Sequence, residues 1–362
     1  MSAADLGKNG TSIWLDDLSR AKITGTDSHS LPQRIKEAYV VGVTTNPSIF
    51  GAAINGAMEY AADIALLKGS TPEEIVRKLT TDDVRAACDL FADIYKRTKG
   101  VDGRVSIEVD PRLAHDTEGT IAEGKALYAA VDRPNVMIKV PATMAGLPAF
   151  TELIAEGISV NVTLIFSVER YALVIDAFMK GIEEAGKRGR DLSTIHSVAS
   201  FFVSRIDTAI DPELEKLGAT QLQGKAAVAN AHVAYELFLK EKGSDRWKSL
   251  AAQGAHMQRP LWASTGVKNP AYEDTRYVVE LVAADCVNTM PQSTLDALMH
   301  HGLVRGDSIT SAIAQSHKDL SDIAEAGISL ADITSDLEVK GVKAFADAWE
   351  VLLMSVAEAS NE

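Results

Sequence analysis

Short apolar runs alternate with amphipathic stretches along the whole chain. The runs are rich in β-branched and aliphatic side chains, which predicts strands, and the stretches between them carry apolar residues at helical spacing, which predicts helices. The predicted strands are Ile13–Leu15, Val40–Thr44, Arg104–Val109, Val136–Val140, Ser159–Ile165, Ile195–Ser200, Pro260–Ala263 and Cys286–Thr289.

Helix signals fall between these strands. Thr71 has the pattern of an N-cap, followed by Pro72 at the first helical position and by Glu74 as the return carboxylate of a capping box. Apolar residues at helical spacing continue over 82–96. Strands separated by amphipathic helices predict the α/β class with parallel strands, and eight such units predict a closed (β/α)8 TIM barrel rather than an open sheet.

The chain is longer than a barrel needs. A typical barrel takes about 250 residues, so the 362 residues predict additional helices, near 212–250 and in a helical C-terminal extension of about 305–362. No internal repeat, low-complexity tract or linker interrupts the sequence, which predicts a single domain over 1–362.

In the tail, Ser335 and Glu338 form a second capping-box pattern ahead of an apolar stripe. Such stripes usually pack against the body of the domain, and a subunit interface is the alternative, so both a monomer and a homodimer remain open. The stripe consists of Val339, Val342, Phe345, Trp349 and Leu352.

The charge and composition of the chain limit the classes of binding partner that can be expected. Fifty acidic and 36 basic residues give a net charge of −14, which repels nucleic acid and anionic lipid but still allows a small anionic substrate. No signal core and no run of about 18 apolar residues is present, so no membrane is expected. Cys88 and Cys286 match no metal or redox spacing, which favours a reducing, cytoplasmic location.

Several chemistries lack support in the sequence. The eight histidines show no ligand spacing, so no metal is predicted. Gly-rich phosphate loops, dinucleotide fingerprints and nucleophile elbows do not occur, which disfavours nucleotide, hydride and serine-hydrolase chemistry.

The stretch NVMIKVPAT places a lysine in an apolar strand, although lysine is rarely buried without a partner. Alternate side chains share a face, so Lys139 points with Met137 into the barrel interior, near the carboxyl end of its strand, where barrel enzymes place their chemistry. Burial disfavours the charged form, and a free amine attacks carbonyl carbon to form a Schiff base. A side chain that reaches solvent, or an ion pair with Glu108, is the structural alternative.

Other strands carry polar side chains at the same level. Polar groups are costly to bury in an apolar barrel unless they bond one another or a ligand. Glu108 is then either a structural carboxylate or a proton relay, and Asp16 either a helix cap or a base for a substrate hydroxyl. The converging residues are Asp16, Asn46, Ser106, Glu108, Asn161, Thr163 and Ser200.

Two basic residues follow later strands, Arg205 in ASFFVSR and Lys268 in ASTGVKNP. Barrel enzymes commonly bind phosphate at this point, and Ser200 with loop N–H groups can complete an anion site. The alternative for each is a solvated surface cation.

Five stretches in this order resemble the transaldolases over nearly the whole chain: VVGVTTNPSIF, GRVSIEVDPR, NVMIKVPAT, ISVNVTLIFS and SVASFFVSR. The resemblance implies a barrel circularly shifted relative to other Schiff-base aldolases, with the reactive lysine, Lys139, on the fourth strand. It also implies a cofactor-free transferase of sugar-phosphate substrates in the pentose phosphate pathway. A dihydroxyacetone unit would pass from sedoheptulose 7-phosphate to glyceraldehyde 3-phosphate, giving erythrose 4-phosphate and fructose 6-phosphate.

The resemblance further implies a role for each matching residue. Glu108 is the proton relay through a water held by Thr163, and Asp16 is the acid and base for bond cleavage. Asn46, Asn161 and Ser200 would bind substrate hydroxyl groups. Arg205 would bind the phosphate, and Phe202 would lie beside the catalytic water.

Two positions separate this sequence from the related fructose-6-phosphate aldolases, which carry Tyr at the position of Phe202 and Gln at that of Glu108. A third position, that of Lys268, differs from many transaldolases, which have a second phosphate-binding arginine there. Lysine lacks the planar two-pronged geometry of arginine. The alternatives are an aldolase that releases dihydroxyacetone, a metal-dependent aldolase, and a non-catalytic sugar-phosphate binder.

Overall fold

The structure is a computed structural model that describes residues 2–361. Met1 and Glu362, the outer ends of the predicted domain and of the predicted C-terminal extension, lie outside the described residues. Eight parallel strands pair in chain order, and the eighth returns to the first to close a barrel. The strands are β1 Thr11–Asp16, β2 Val40–Thr44, β3 Arg104–Glu108, β4 Val136–Pro141, β5 Val160–Ile165, β6 Ser197–Phe202, β7 Arg259–Ala263 and β8 Cys286–Met290.

Helices surround the barrel. They are α1 Ser2–Lys8, α2 Arg20–Thr24, α3 Leu31–Glu37, α4 Pro47–Ile54, α5 Met58–Leu66, α6 Pro72–Leu90, α7 Ala92–Arg97, α8 Thr117–Val131, α9 Gly146–Ala155, α10 Val168–Lys187, α11 Ser204–Lys216, α12 Ala226–Lys242, α13 Asp245–Ala251, α14 Arg276–Val279, α15 Gln292–His301, α16 Ile313–Glu325 and α17 Leu330–Asn361. Short 3₁₀ turns occupy Pro111–Leu113, Leu192–Thr194, Thr220–Leu222 and Thr310–Ala312. No helix within residues 2–361 is both long enough and apolar enough to span a membrane.

The (β/α)8 barrel predicted from the alternating pattern is confirmed, and each predicted strand is present with ends within two residues of the prediction. The predicted capping box also forms, since the Thr71 hydroxyl accepts from the Glu74 N–H while the Glu74 carboxylate accepts from the Thr71 N–H. The helical pattern over 82–96 is divided at Phe91, which ends α6 and precedes α7.

A close approach explains one glycine in the barrel wall. A Cβ atom on Gly42 in β2 would lie 2.6 Å from the ring of Trp14 in the neighbouring strand. Trp14 is fully buried, and its indole N–H donates to Asp102 over 3.2 Å. The glycine therefore makes room for a fully buried tryptophan side chain.

The C-terminal helix starts earlier than its predicted capping box at Ser335. The prediction is wrong because α17 begins at Leu330, where the Ser329 hydroxyl accepts from the Asp332 N–H over 3.2 Å. Ile333 and Leu337 pack on the core and extend the helical stripe toward the N-terminus, so Ser335 lies inside the helix. Glu338 instead pairs with Arg170 over 3.0 Å.

The stripe of α17 packs against the body of the barrel, as expected. Phe345 and Leu352 are buried, and Val342 and Trp349 pack on the core, whereas Val339 is 67% exposed and does not belong to the buried face. The helix contacts α4, α6 and α11 and reaches β5. It therefore lies across the end of the barrel where the strands terminate.

Candidate active site

Lys139 lies in β4 with 4% of its surface exposed. Its register partners are Glu108 in β3 and Asn161 in β5, so the three residues form one row across adjacent strands. The Lys139 amine donates to the Thr45 carbonyl over 2.9 Å and to Glu108 Oε2 over 3.2 Å. The ring centroid of Phe345 from α17 lies 5.3 Å from the same nitrogen. The amine is thus buried, oriented and covered by an aromatic ring.

Two carboxyl groups lie near this amine, and burial acts on both. Burial raises the pKa of Glu108 to about 7, although the Lys139 charge and hydrogen bond oppose the shift. Burial also raises the pKa of Asp16, opposed by Lys139 and by the Thr44 hydroxyl, which donates to Asp16 over 2.6 Å. A carboxyl group with a pKa of about 7, as Glu108 has, can both release and accept protons near neutral pH.

The amine faces a cavity at the carboxyl ends of the strands, which we call the front cavity. Seven of the residues predicted for the site line it: Asp16, Asn46, Lys139, Thr163, Ser200, Phe202 and Arg205. The structure therefore brings together side chains from β1, β4, β5 and β6 with residues that follow β2 and β6.

Hydroxyl and amide groups form a network beneath the cavity. The Ser200 hydroxyl donates to Asn161 Oδ1 over 2.7 Å, and Asn161 Nδ2 donates to the Ser106 hydroxyl over 3.0 Å. Asn161 does not itself line the front cavity and instead positions Ser200, which does. Thr163 Oγ1 is buried and has no hydrogen-bond partner within residues 2–361, so it is free to bond a ligand.

Asn46 has two contacts in this region. Its Oδ1 accepts from the Ile49 N–H over 3.0 Å and caps α4, which fixes the side chain at the start of that helix. The same side chain lines the front cavity. The cap therefore positions a polar group that can face a substrate.

Arg205 provides a cation at the rim of the front cavity. It is the second residue of α11, and its guanidinium lies 5.2 Å from the ring centroid of Phe202. Burial lowers the pKa of Arg205, and among the described residues no carboxylate pairs with it. A partly buried cation without a protein counter-ion is suited to an anionic ligand.

Lys268 lies apart from these residues. It is exposed on the loop after β7 and lines a separate surface hollow with Tyr272 and His301. The structure therefore does not bring Lys268 into the front cavity.

Several residues that line the cavity were not predicted from the sequence to form the site: Thr44, Ala263, Ser264, Thr289 and Phe345. Thr44 and Thr289 stand at or near the ends of β2 and β8, the same signal that identified Asp16, and their hydroxyl oxygens lie 2.6 Å apart. Phe345 was predicted as part of a packing stripe. Sequence spacing alone does not reveal that α17 crosses the barrel mouth.

A closed parallel barrel with convergent polar residues at its carboxyl end defines the class of (β/α)8-barrel enzymes. The sequence model of the family "Transaldolase/Fructose-6-phosphate aldolase" matches residues 13–356, and the chain belongs to that family.

Curated relatives align over almost their whole length. "Transaldolase 1" of Streptomyces avermitilis is 57% identical, over 97% of this chain and 94% of the relative. "Transaldolase" of Mycolicibacterium smegmatis is 55% identical, over 97% and 95%. "Transaldolase" of Mycobacterium leprae is 54% identical, over 98% and 96%.

Proposed function

We propose that the chain is a transaldolase that moves a dihydroxyacetone unit from sedoheptulose 7-phosphate to glyceraldehyde 3-phosphate through a Schiff base on Lys139. The products are erythrose 4-phosphate and fructose 6-phosphate. The observation that carries the proposal is the buried Lys139 amine, 3.2 Å from Glu108 and facing a cavity that also holds Asp16 and Arg205. Family membership and the names of the relatives support it.

The first step joins enzyme and donor. The Lys139 amine attacks the C2 ketone of sedoheptulose 7-phosphate to give a carbinolamine. Glu108 supplies a proton, through a water held by Thr163, to the hydroxyl on C2, which leaves as water. The product is an iminium that draws electrons from the neighbouring carbon-carbon bond.

Asp16 governs the second step. Its carboxylate takes the proton of the C4 hydroxyl, the C3–C4 bond breaks, and erythrose 4-phosphate leaves as an aldehyde. The bonding electrons enter the iminium and form an enamine on Lys139. The enamine then attacks the aldehyde carbon of glyceraldehyde 3-phosphate, Asp16 returns its proton, and water hydrolyses the new iminium to release fructose 6-phosphate. The protonated imine is the electron sink, so these steps require no cofactor.

We assign the substrate-binding residues from the position of each side chain relative to the front cavity. Ser200 and Asn46 line the front cavity and bind sugar hydroxyls, while Asn161 holds Ser200. Phe202 shields the region beside Thr163. We assign phosphate binding to Arg205 rather than to Lys268, because Lys268 lies on the surface outside the cavity.

An aldolase that cleaves fructose 6-phosphate and releases dihydroxyacetone is the alternative. The resemblance of Phe202 and Glu108 to the transaldolase pattern favours transfer. The test is product analysis with sedoheptulose 7-phosphate, with and without glyceraldehyde 3-phosphate. Transfer requires the acceptor, so turnover that is undiminished without the acceptor would refute this reading.

We further infer that the chain works as a single domain over 1–362, in the cytoplasm, as a monomer or homodimer. Both cysteines, Cys88 and Cys286, are free and buried, which suits a reducing compartment.

A further inference from the structure

Glu108 contacts a second cavity, separate from the one that Lys139 faces. This cavity lies among β3, α4, α6, α8 and α17; we call it the rear cavity. Its wall includes Glu108 and the apolar residues Phe50, Leu113 and Leu127. Lys139 lines the front cavity and Glu108 the rear cavity, so their hydrogen bond crosses the partition between the two.

The partition between the two cavities is polar. Both side chains of the Lys139–Glu108 pair are 5% exposed, and Asn46 lines both cavities. A carboxyl group at this place can exchange a proton with the amine on one side and with water on the other.

The rear cavity has the features of a hydrated space. The buried indole N–H of Trp349 on its wall has no partner within residues 2–361, and a buried donor without a partner is costly unless water satisfies it. At the outer end of the cavity, Arg77 and Glu123 form an ion pair of 2.6 Å, and the Arg77 side chain is 44% exposed. The cavity thus runs from surface charges to the buried Glu108.

The proposed chemistry requires such a route. Condensation of a ketone with the Lys139 amine releases one water, and hydrolysis of the product iminium consumes one. A sugar chain that fills the front cavity blocks that side during both events. The water and the protons of Glu108 then need another path.

We propose that the rear cavity holds and conducts the water that Glu108 exchanges with the Schiff base while the sugar occupies the front cavity. The site takes water as its ligand, and the inference rests on the proposed Schiff-base function. Leu113 and Leu127 set its width, because both lie on its wall and neither contacts the front cavity.

Isotope exchange tests the route directly. Fructose 6-phosphate is incubated with the protein in H₂¹⁸O without an acceptor aldehyde, and ¹⁸O at C2 is followed by mass spectrometry. Each cycle of condensation and hydrolysis replaces the C2 oxygen with one from water. Leu127→Phe and Leu113→Trp narrow the rear cavity, and we expect each to slow the enzymatic exchange, and kcat for transfer, by about tenfold or more. KM changes by less than about twofold, because the front cavity is untouched.

Controls separate this inference from the proposed function. Ala129→Trp adds more bulk than either variant, but at an exposed position of α8, and is expected to leave exchange at the parent rate. Thermal unfolding verifies that each variant is folded; Leu113 lies in a 3₁₀ turn and is only partly buried, so its variant accepts the larger ring more easily than Leu127. Parent-like exchange in both folded variants overturns the rear-cavity route while leaving the Schiff base intact. Absence of a borohydride-trapped adduct on Lys139 in an active parent overturns the proposed function itself.

Discussion

Burial sets the chemistry of the individual residues. Lys139 and Glu108 are each 5% exposed at the side chain, so neither charge is stabilised by bulk water and each depends on the other. The arrangement costs stability, because burial favours the neutral carboxyl group, yet it creates a proton carrier beside an amine. The burial that makes Lys139 and Glu108 reactive therefore also lowers the stability of the folded protein.

The Glu108→Gln variant tests that cost through pH. The ordinary pKa of 4.5 is raised to about 7 in the folded protein, so folding takes up a proton between these values. The stability of the parent therefore falls as pH rises through this window, whereas the glutamine variant lacks this loss. Between pH 5 and 8 we expect the variant to gain roughly 2–3 kcal/mol relative to the parent, measured by urea unfolding.

The control for this prediction is Glu215→Gln at an exposed position, which should show no such change with pH. An equal pH dependence in the Glu108 variant and the parent would show that the carboxyl group is not held in its neutral form by burial.

In the proposed function, phosphate recognition depends on Arg205. Loss of a charge-assisted hydrogen bond costs about 1.5–3 kcal/mol, so Arg205→Ala should lower the preference for phosphorylated over unphosphorylated acceptor by about 10- to 100-fold. Steady-state kinetics with glyceraldehyde 3-phosphate and glyceraldehyde measure the ratio. Lys268→Ala is the matched control and should change the ratio by less than about twofold, because Lys268 lies outside the cavity. The reverse order of the two variants would contradict the assignment.

At the scale of the element, α17 closes the site. Gly341 allows its approach to β5, since a Cβ atom there would lie 3.1 Å from Leu164, a residue with a left-handed φ of 62° at an irregularity of the strand. One turn further along, Phe345 covers the Lys139 amine. A helix outside the eight repeating units therefore contributes directly to the barrel mouth.

Replacement of Phe345 should affect catalysis more than folding. The face of an aromatic ring stabilises a nearby cation by up to about 2 kcal/mol when water is excluded, and the iminium is such a cation. Phe345→Leu keeps apolar volume and should cost less than about 1.5 kcal/mol of stability, whereas kcat should fall about tenfold. Val351→Ala, at an exposed position of the same helix, should leave both unchanged. A parent-like kcat in a folded Phe345→Leu variant would remove the ring from the mechanism.

The sequence predicted strands better than the start of this helix. Strand positions depend on the local alternation of apolar strand segments and amphipathic helices, which is clear in the sequence around β2 and β4. The start of α17 depends on the packing of Ile333 and Leu337 against the core. This tertiary packing overrides the local capping pattern at Ser335. For the same reason Phe345 was predicted as a packing residue only, because the path of α17 across the mouth is a tertiary property.

At the scale of the whole molecule, barrel closure brings distant residues together. Asp16 and Arg205 are 189 positions apart in sequence yet line one cavity, because parallel strands all end at the same side of the barrel. This rule made the convergence predictable from strand ends. The position of Lys268 was not predictable, since a loop can carry a residue away from the strand that precedes it.

Residues of this chain line the front cavity, and we expect them to suffice for turnover. Turnover per chain should therefore stay constant from nanomolar to micromolar protein, whether the chain is a monomer or a homodimer. Initial rates over this range, combined with light scattering, measure it. A loss of specific activity on dilution that follows dissociation would show that a second chain supports the site.

The most direct test of the central claim is borohydride reduction in the presence of fructose 6-phosphate, followed by peptide mapping. The account predicts one stable adduct on Lys139 and loss of activity in proportion to its formation, with neither in Lys139→Arg, which keeps a cation but cannot form the iminium. An adduct on another lysine, or full activity with no adduct at all, would contradict it.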